Sequence, residues 1–277
     1  MKLFNKVTII GVGLIGGSIG LAIKKRGLAG QVVGVSRHEN TISSAIKKGA
    51  IDSGTLDICA VRDSGLIILA APVHTIIKIG TDISCLIKPG TLVIDTGSTK
   101  RLVVKKLEKS IPGFIGAHPL AGSEKQGVTN ADAGLFEGSL CVLTPTKKSS
   151  KIALNKIKKF WIELGANVVY LSPDKHDRLI AYVSHLPHII AFSLIHSVPR
   201  SALFFASTGL KDTTRIAGSS DVLWRDIFLT NSKNILASLN KFTSSLDMIK
   251  SAVMRGDQKK LNRILRQARL KRENIDP

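Results

Sequence analysis

A short apolar, β-branched run, Lys6-Val-Thr-Ile-Ile10, passes straight into Gly11-Val12-Gly13-Leu14-Ile15-Gly16 and then into helical spacing from Ile19 to Arg26. A strand that ends in glycine and opens at once into a helix fits the first βα unit of a doubly wound sheet. Gly11 permits the tight turn there, Gly13 lets a pyrophosphate approach the backbone, and Gly16 allows helix and strand to pack closely. The helix N-terminus adds free N–H donors and the positive end of its dipole. G-x-G-x-x-G by itself is a weak signal, and the strand before it and helix after it are what point to a dinucleotide. Leu14 and Ile15, inside the turn, are counted with the three glycines as cofactor-binding.

The alternation continues along the chain. Strands are expected at 31–36, 65–70, 91–94, 113–117, 140–143 and 167–171. Helices are expected at 40–48, 75–87, 98–110 and 150–164, with a polar, glycine-containing loop over 119–138. Such alternation implies parallel strands joined by crossovers. After Ser172-Pro173-Asp174 the strand signal stops and helical periodicity runs on, broken at Pro199-Arg200 and Thr208-Gly209. At roughly 150 residues per domain, two domains suit the chain. The expected α/β architecture is an N-terminal Rossmann-type doubly wound parallel sheet over 1–172, followed by an all-α C-terminal domain over 173–277.

Composition narrows the partners. Lys and Arg total 40 against 20 Asp and Glu, a formal charge of +20. The excess is spread, with 23 basic against 11 acidic residues in 1–172 and 17 against 9 in 173–277. Aromatics are 5% and do not interleave with the basic runs, so no base-stacking surface and no specific nucleic-acid partner are expected. Such a surface attracts anionic ligands, and nucleic acid only non-specifically. Cys59, Cys85 and Cys141 are scattered and odd in number, which argues against a disulfide framework or a metal knuckle and for a reducing, cytoplasmic setting. No metal is expected. Leu179 to Pro199 lacks Asp, Glu, Lys and Arg and is near spanning length, but holds His185, His188 and His196 with Pro187 between them. It reads as a buried helix beside a polar site, not as a membrane span.

Twenty residues past Gly16, where an NAD-preferring site places Asp or Glu, stands Ser36-Arg37. An arginine beside a small hydroxyl suits a 2′-phosphate, so NADP is favoured over NAD. The alternative leaves Arg37 as a solvated cation and gives the ribose to Glu39. The break after the third strand, Ala71-Pro72, is placed with the cofactor-binding residues. Beyond the fourth and fifth strands lie Asp95-Thr-Gly-Ser98-Thr-Lys100 and Gly116-Ala-His118-Pro-Leu-Ala-Gly122-Ser-Glu124. The carboxyl ends of parallel strands open onto a ligand crevice. A histidine there accepts a proton near neutral pH and a neighbouring serine can orient it, which makes His118 and Ser98 the candidate catalytic pair.

Those segments, with Ser184-His-Leu-Pro-His188, Lys211-Asp-Thr-Thr-Arg215 and Trp224-Arg225-Asp226, resemble the prephenate/arogenate dehydrogenase family of tyrosine biosynthesis over essentially the whole chain. In this order and spacing the set is highly specific. The resemblance implies an oxidative decarboxylation, with hydride passing from the carbon bearing the 4-hydroxyl to a nicotinamide and the ring carboxylate leaving as CO₂. It implies that His118 accepts the hydrogen bond and then the proton of the 4-hydroxyl, and that Ser98 bridges His118 and the nicotinamide. Arg215 would bind a substrate carboxylate within an ionic network of Asp212 and Glu124. His188, with Ser184 and His185, would line the side-chain end of the pocket. It also implies a homodimer through the helical domain; the apolar stretches Leu203 to Phe205 and Ile227 to Leu229 are either its interface or core of the single chain.

Some positions depart from the family's pattern. Ala206-Ser-Thr-Gly209 carries one glycine, Leu210 follows it, and Thr214 stands where an aromatic is often found. These lie near the substrate, so prephenate against arogenate is left open, with His188 favouring prephenate. Two rivals remain. Another Rossmann-plus-helical hydroxy-acid dehydrogenase would be expected to use a lysine where histidines and Arg215 are seen. A non-enzymatic dinucleotide sensor would need a helix-turn-helix or wing, and none is evident.

Overall fold

The computed structural model describes residues 2–122 and 125–275. Eight strands form one sheet: β1 (Phe4–Ile10), β2 (Ala29–Val35), β3 (Ser53–Thr55), β4 (Leu66–Leu69), β5 (Leu92–Asp95), β6 (Phe114–Pro119), β7 (Leu140–Thr144) and β8 (Asn167–Tyr170). Their order in space is β3-β2-β1-β4-β5-β6-β7-β8. Leu66-Ile-Ile-Leu69 shows why helices cover both faces. All four residues are buried, Leu66 and Ile68 in one core and Ile67 and Leu69 in another. A continuous apolar run whose residues alternate between two cores is what a central parallel strand requires.

The first core takes Ile19 and Ile23 from α1 (Leu14–Lys25), and Ile157, Phe160 and Trp161 from α5 (Lys151–Glu163). The second takes Val73 and Ile76 from α3 (Val73–Ile83), and Val103 and Leu107 from α4 (Arg101–Leu107). The remaining helix among the strands is α2 (Glu39–Lys47). Because β1 pairs with β2 on one side and β4 on the other, the strand order reverses at β1. That reversal opens a crevice at the strands' carboxyl ends.

Three local features differ from the sequence expectation. Ser53-Gly-Thr55 forms an edge strand beside β2 without any apolar run to announce it. β7 runs antiparallel to β6, with Gly116 opposite Thr144 and Pro119 opposite Cys141. Parallel neighbours need a crossover, usually a helix. In the described part of 120–139 the chain makes only short turns such as Val128–Asn130, so it comes back in the opposite sense. Finally, the helix expected over 98–110 starts only at Arg101, because Asp95 and Lys100 are held in a buried network of hydrogen bonds.

The helical portion begins with α6 (Pro173–Ile180), a π turn (Ala181–His185) and α7 (Leu186–Ser197). Ser172 Oγ caps α6 by accepting from Lys175 N, with Pro173 in the first turn. The run Pro173–Ser197 is long and apolar enough, by length and composition, to cross a membrane. It nevertheless carries His176, Asp177 and His185 fully buried. Then come α8 (Thr208–Thr214), α9 (Asp221–Thr230), α10 (Ser232–Met254) and α11 (Gln258–Glu273). The chain divides into two compact units, 1–231 and 232–277. In the second, α10 packs on α11. Phe204 and Phe205 stand 89% and 81% exposed; in the other stretch expected at an interface Ile227 is core at 1% and Leu229 is 64% exposed.

Candidate active site

The glycine turn is shaped by contacts that a side chain would break. Gly11 has φ +96, and a Cβ there would lie 2.1 Å from the Ala70 carbonyl oxygen, so the tips of β1 and β4 meet at this point. A Cβ on Gly16 would lie 2.0 Å from the Gly11 carbonyl oxygen. At Gly13 it would meet nothing within 4 Å. Gly13 therefore faces open space, not protein. It is also the N-cap of α1, and no side chain caps the helix. Unsatisfied first-turn N–H groups, Leu14 and Ile15 among them, facing a Cβ-free opening fit a pyrophosphate.

Ser36 and Arg37 follow β2 at the same edge. Ser36 Oγ accepts from His38 N at 3.4 Å. Arg37 is exposed and makes no hydrogen bond or ion pair among the described residues. Ala71 and Pro72 follow β4, half-buried, with Pro72 at the N-cap of α3.

At the tips of β5 and β6 a fully buried ion pair joins Lys100 Nζ to Asp95 Oδ2. Lys100 Nζ also donates to the Ala117 carbonyl at 2.7 Å. Asp95 accepts from Ala117 N at 3.2 Å and from Gly97 N at 2.9 Å. The two strand ends are thereby locked side by side. Such a pair is costly to desolvate, and removing one partner leaves a buried charge, an effect of about 3–5 kcal/mol.

On this platform stands a chain of side chains. Asp177 accepts from Lys100 N at 2.7 Å and Arg101 N at 3.0 Å. Its Oδ1 lies 2.8 Å from His176 Nδ1, and His176 Nε2 lies 2.8 Å from His118 Nδ1. The tautomers follow from the acceptor-only carboxylate. Asp177 takes the His176 Nδ1–H, so His176 Nε2 is an acceptor and must receive His118 Nδ1–H. His118 Nε2 is left with its lone pair, as a base. Burial pushes the His118 pKa well below the usual imidazole value, assisted by the His176, Lys100 and His185 charges. Burial also lowers His176, against the opposing effect of its hydrogen bond to Asp177.

Asn231 extends the chain. Its Nδ2 donates to the Asp177 carbonyl at 2.8 Å and to His185 Nδ1 at 3.1 Å. His185 is therefore protonated on Nε2, which is buried and makes no hydrogen bond of ordinary geometry among the described residues. Burial depresses its pKa to about 4, despite the Asp177 charge and the Ser98 backbone. Nine residues of regular α-helix would set His176 and His185 about half a turn apart. The π turn removes roughly 90° of that, and both are 0% exposed. One turn on, His188 donates Nδ1–H to the Ser184 carbonyl at 2.9 Å and stacks on Trp224, with centroids 3.5 Å apart. Burial lowers the His188 pKa as well.

The expected residues thus fall into groups. His118 and His185 belong to one hydrogen-bonded network. His188, joined to the Ser184 carbonyl, stacks on Trp224, and the His185 ring meets Trp224 edge-on. Ser98 is half-buried beyond β5, but its hydroxyl makes no hydrogen bond to His118, whose Nδ1 is taken by His176. Arg215 and Asp212 are exposed, and the turn Arg215–Gly218 packs against α7. Glu124 lies outside the described residues. His176, Asp177 and Asn231 carry no expectation in the sequence reading. Their available signals were the adjacent His-Asp pair just inside the Ser172 cap and the π turn's nine-residue spacing, neither of which announces a partner on β6.

Two family models match the chain. "Prephenate dehydrogenase, nucleotide-binding domain" covers residues 19–170, and "Prephenate dehydrogenase, dimerization domain" covers 172–267. The chain is 35% identical to the prephenate dehydrogenase of Bacillus subtilis over 98% of its own length and 76% of that protein's. Its fold matches a crystal structure of prephenate dehydrogenase from A. aeolicus, in complex with hydroxyphenyl propionate and NAD+. The TM-score is 0.93 at 38% identity, covering 98% of each chain. It also matches Synechocystis arogenate dehydrogenase, with a TM-score of 0.83 at 28% identity over 98% and 99% of the two chains.

Proposed function

The chain belongs to the prephenate dehydrogenase family, and from that premise we propose that it acts on prephenate in preference to arogenate, with NADP in preference to NAD. The reaction is the oxidative decarboxylation of prephenate or arogenate to 4-hydroxyphenylpyruvate or tyrosine, in tyrosine biosynthesis. The observation that carries the reading is the lone pair of His118 Nε2, left free to accept by the Asp177–His176 chain, on the carboxyl edge of the sheet that also carries the glycine turn.

When bound, the pyridine nucleotide supplies the hydride acceptor. Gly11, Gly13, Leu14, Ile15 and Gly16 would hold its pyrophosphate, Ser36 and Arg37 its 2′-phosphate, and Ala71 and Pro72 would border its path. His118 Nε2 accepts the hydrogen bond of the substrate 4-hydroxyl and takes up its proton as positive character develops on that carbon. His176, backed by ionised Asp177, stabilises the imidazolium that forms. Because burial keeps His118 neutral at rest, no prior deprotonation is needed. Loss of the ring carboxylate as CO₂ then sends its electron pair into the ring, and the phenol recovers the proton. Ser98 would steady the nicotinamide end of the site, and His185 Nε2–H would donate to a bound oxygen. Arg215, with Asp212 and Glu124, would bind a substrate carboxylate, and His188 and Ser184 would line the side-chain end.

Residues 173–277 are assigned to substrate binding and dimerisation, supported by the dimerisation model over 172–267 and by the bare Phe204 and Phe205. Three free cysteines support a cytoplasmic enzyme. The buried histidines of Pro173–Ser197 support reading that run as a site helix and not a membrane span. The deciding experiment is an initial-rate comparison of prephenate and arogenate with each coenzyme, following CO₂ and reduced nicotinamide together. Equal specificity constants for the two coenzymes would end the NADP reading, and a preference for arogenate would end the substrate reading.

A further inference from the structure

A groove of about 240 Å³ lies among α3, α4 and α9, lined by His74, Arg101, Leu102, Lys105, Leu229 and Thr230. Three of these side chains are basic and none is acidic. Arg101 Nε reaches Asp174 at 3.0 Å. Lys105 and His74 make no side-chain hydrogen bond or ion pair among the described residues. Leu229, 64% exposed, offers an apolar wall. Basic side chains lining a groove beside an apolar surface favour an anionic head on an apolar body.

We propose that this groove binds a small organic anion, a phosphate or carboxylate head carrying an apolar body, and that its occupancy slows the relay at His118. The head sits between Arg101 and Lys105, and the body lies against Leu102 and Leu229. The link to the relay is structural. Arg101 lines the groove with its side chain and holds Asp177 Oδ2 with its N–H at 3.0 Å. Thr230 lines the groove and pairs with Thr99 at 3.0 Å. The next residue, Asn231, holds the Asp177 carbonyl and His185. Drawing Arg101 and Thr230 toward a ligand therefore loosens the donors that fix Asp177.

The test is calorimetric titration of the full chain at constant ionic strength. Pyridine nucleotide and 4-hydroxyphenylpropionate are kept saturating, so that the active site is closed to the probe. Phenylphosphonate is expected to bind one site per chain, about five-fold more tightly than inorganic phosphate because of the apolar wall. A benzoate arm separates a carboxylate head from a phosphonate head. The variant His74→Gln/Lys105→Gln, altered only at exposed positions, should bind roughly ten-fold more weakly while keeping wild-type kcat without ligand. In wild-type rate assays phenylphosphonate should lower kcat with KM unchanged, an effect absent from the variant. No binding, or equal binding by both proteins, would overturn the site. Binding that leaves kcat untouched, or inhibition competitive with substrate, would overturn its link to the relay. The binding arm does not depend on the proposed activity, so failure of the two readings can be told apart.

Discussion

The glycine turn and the base relay sit at the same edge of the sheet but are built in opposite ways. The turn is six consecutive residues whose work is done by backbone, through a positive φ at Gly11, a missing Cβ at Gly13 and a close approach at Gly16. The relay is side chains from β6, α6 and the end of α9. His118 and His176 are 58 positions apart, and Asp177 and Asn231 are 54 apart. Tolerance to substitution should differ accordingly. A backbone site fails through space and conformation, whereas a relay fails through loss of a donor, an acceptor or a tautomer.

His118→Asn probes the chemical end of the relay. It removes the proton acceptor alone, so kcat should fall roughly 10²–10⁴-fold while cofactor affinity, read by fluorescence titration, stays near wild type. Loss of cofactor binding in parallel would erase the distinction between the two halves. Asp177→Asn reaches the same atom indirectly. Oδ1 serves two donors, Lys100 N–H and His176 Nδ1–H, so the amide oxygen takes that place and its NH2 opposes Arg101 N–H; the tautomers stand, but the charge that steadies the imidazolium is lost. A drop in kcat of about 10²-fold with modest change in KM is expected. In the wild type, His118 is held neutral to well below its ordinary pKa. Activity should therefore stay level as pH falls through 6.5 and decline only below it, where the base becomes protonated. A pH–rate profile with its acid limb at 6.5 would contradict the buried relay.

What was legible from the sequence follows the same division. The glycine turn, the Ser36-Arg37 tip and the parallel strands were readable because each is local: an apolar run, a glycine spacing, a strand end. The antiparallel return of β7 was not, because it depends on what the described part of the 120–139 connection lacks. His118 was legible as a candidate base from its place at a strand end, but the partner expected for it, Ser98, makes no hydrogen bond to it. His176 carried no assigned role because its significance lies in a contact across the fold and in the angle set by the π turn. Lys100 and Asp95 were visible as a motif, yet their complete burial, which locks β5 to β6, is a property of packing.

Paired glycine substitutions sharpen the backbone side of the comparison. Gly13→Ala adds a methyl where no protein atom lies within 4 Å, so chemical denaturation should show near-normal stability. Cofactor affinity should fall by about ten-fold or more, because the methyl occupies the space kept for pyrophosphate. Gly11→Ala should instead destabilise the fold by roughly 1–3 kcal/mol, since its Cβ would strike the Ala70 carbonyl and its φ is +96. If both variants lost affinity and stability alike, Gly13 would be a structural glycine and the opening above it would be no binding space.

The smallest expected effect concerns Arg37, where the turn's environment passes from backbone to side chain. Arg37 is exposed and, among the described residues, engages no acid, so its removal should leave stability within about 0.5 kcal/mol. A charge-assisted contact to a 2′-phosphate is worth roughly 1.5–3 kcal/mol. Solvent screening at so open a position argues for the lower figure, a loss of about ten-fold in NADP affinity. NAD, which carries a hydroxyl there, should lose two-fold or less. Raising the ionic strength should shrink the NADP advantage of the wild type and leave Arg37→Ala unmoved, because the preference rests on one exposed charge. Equal losses for NADP and NAD would show that Arg37 serves the adenine or the loop, and would return coenzyme choice to Glu39 at the head of α2.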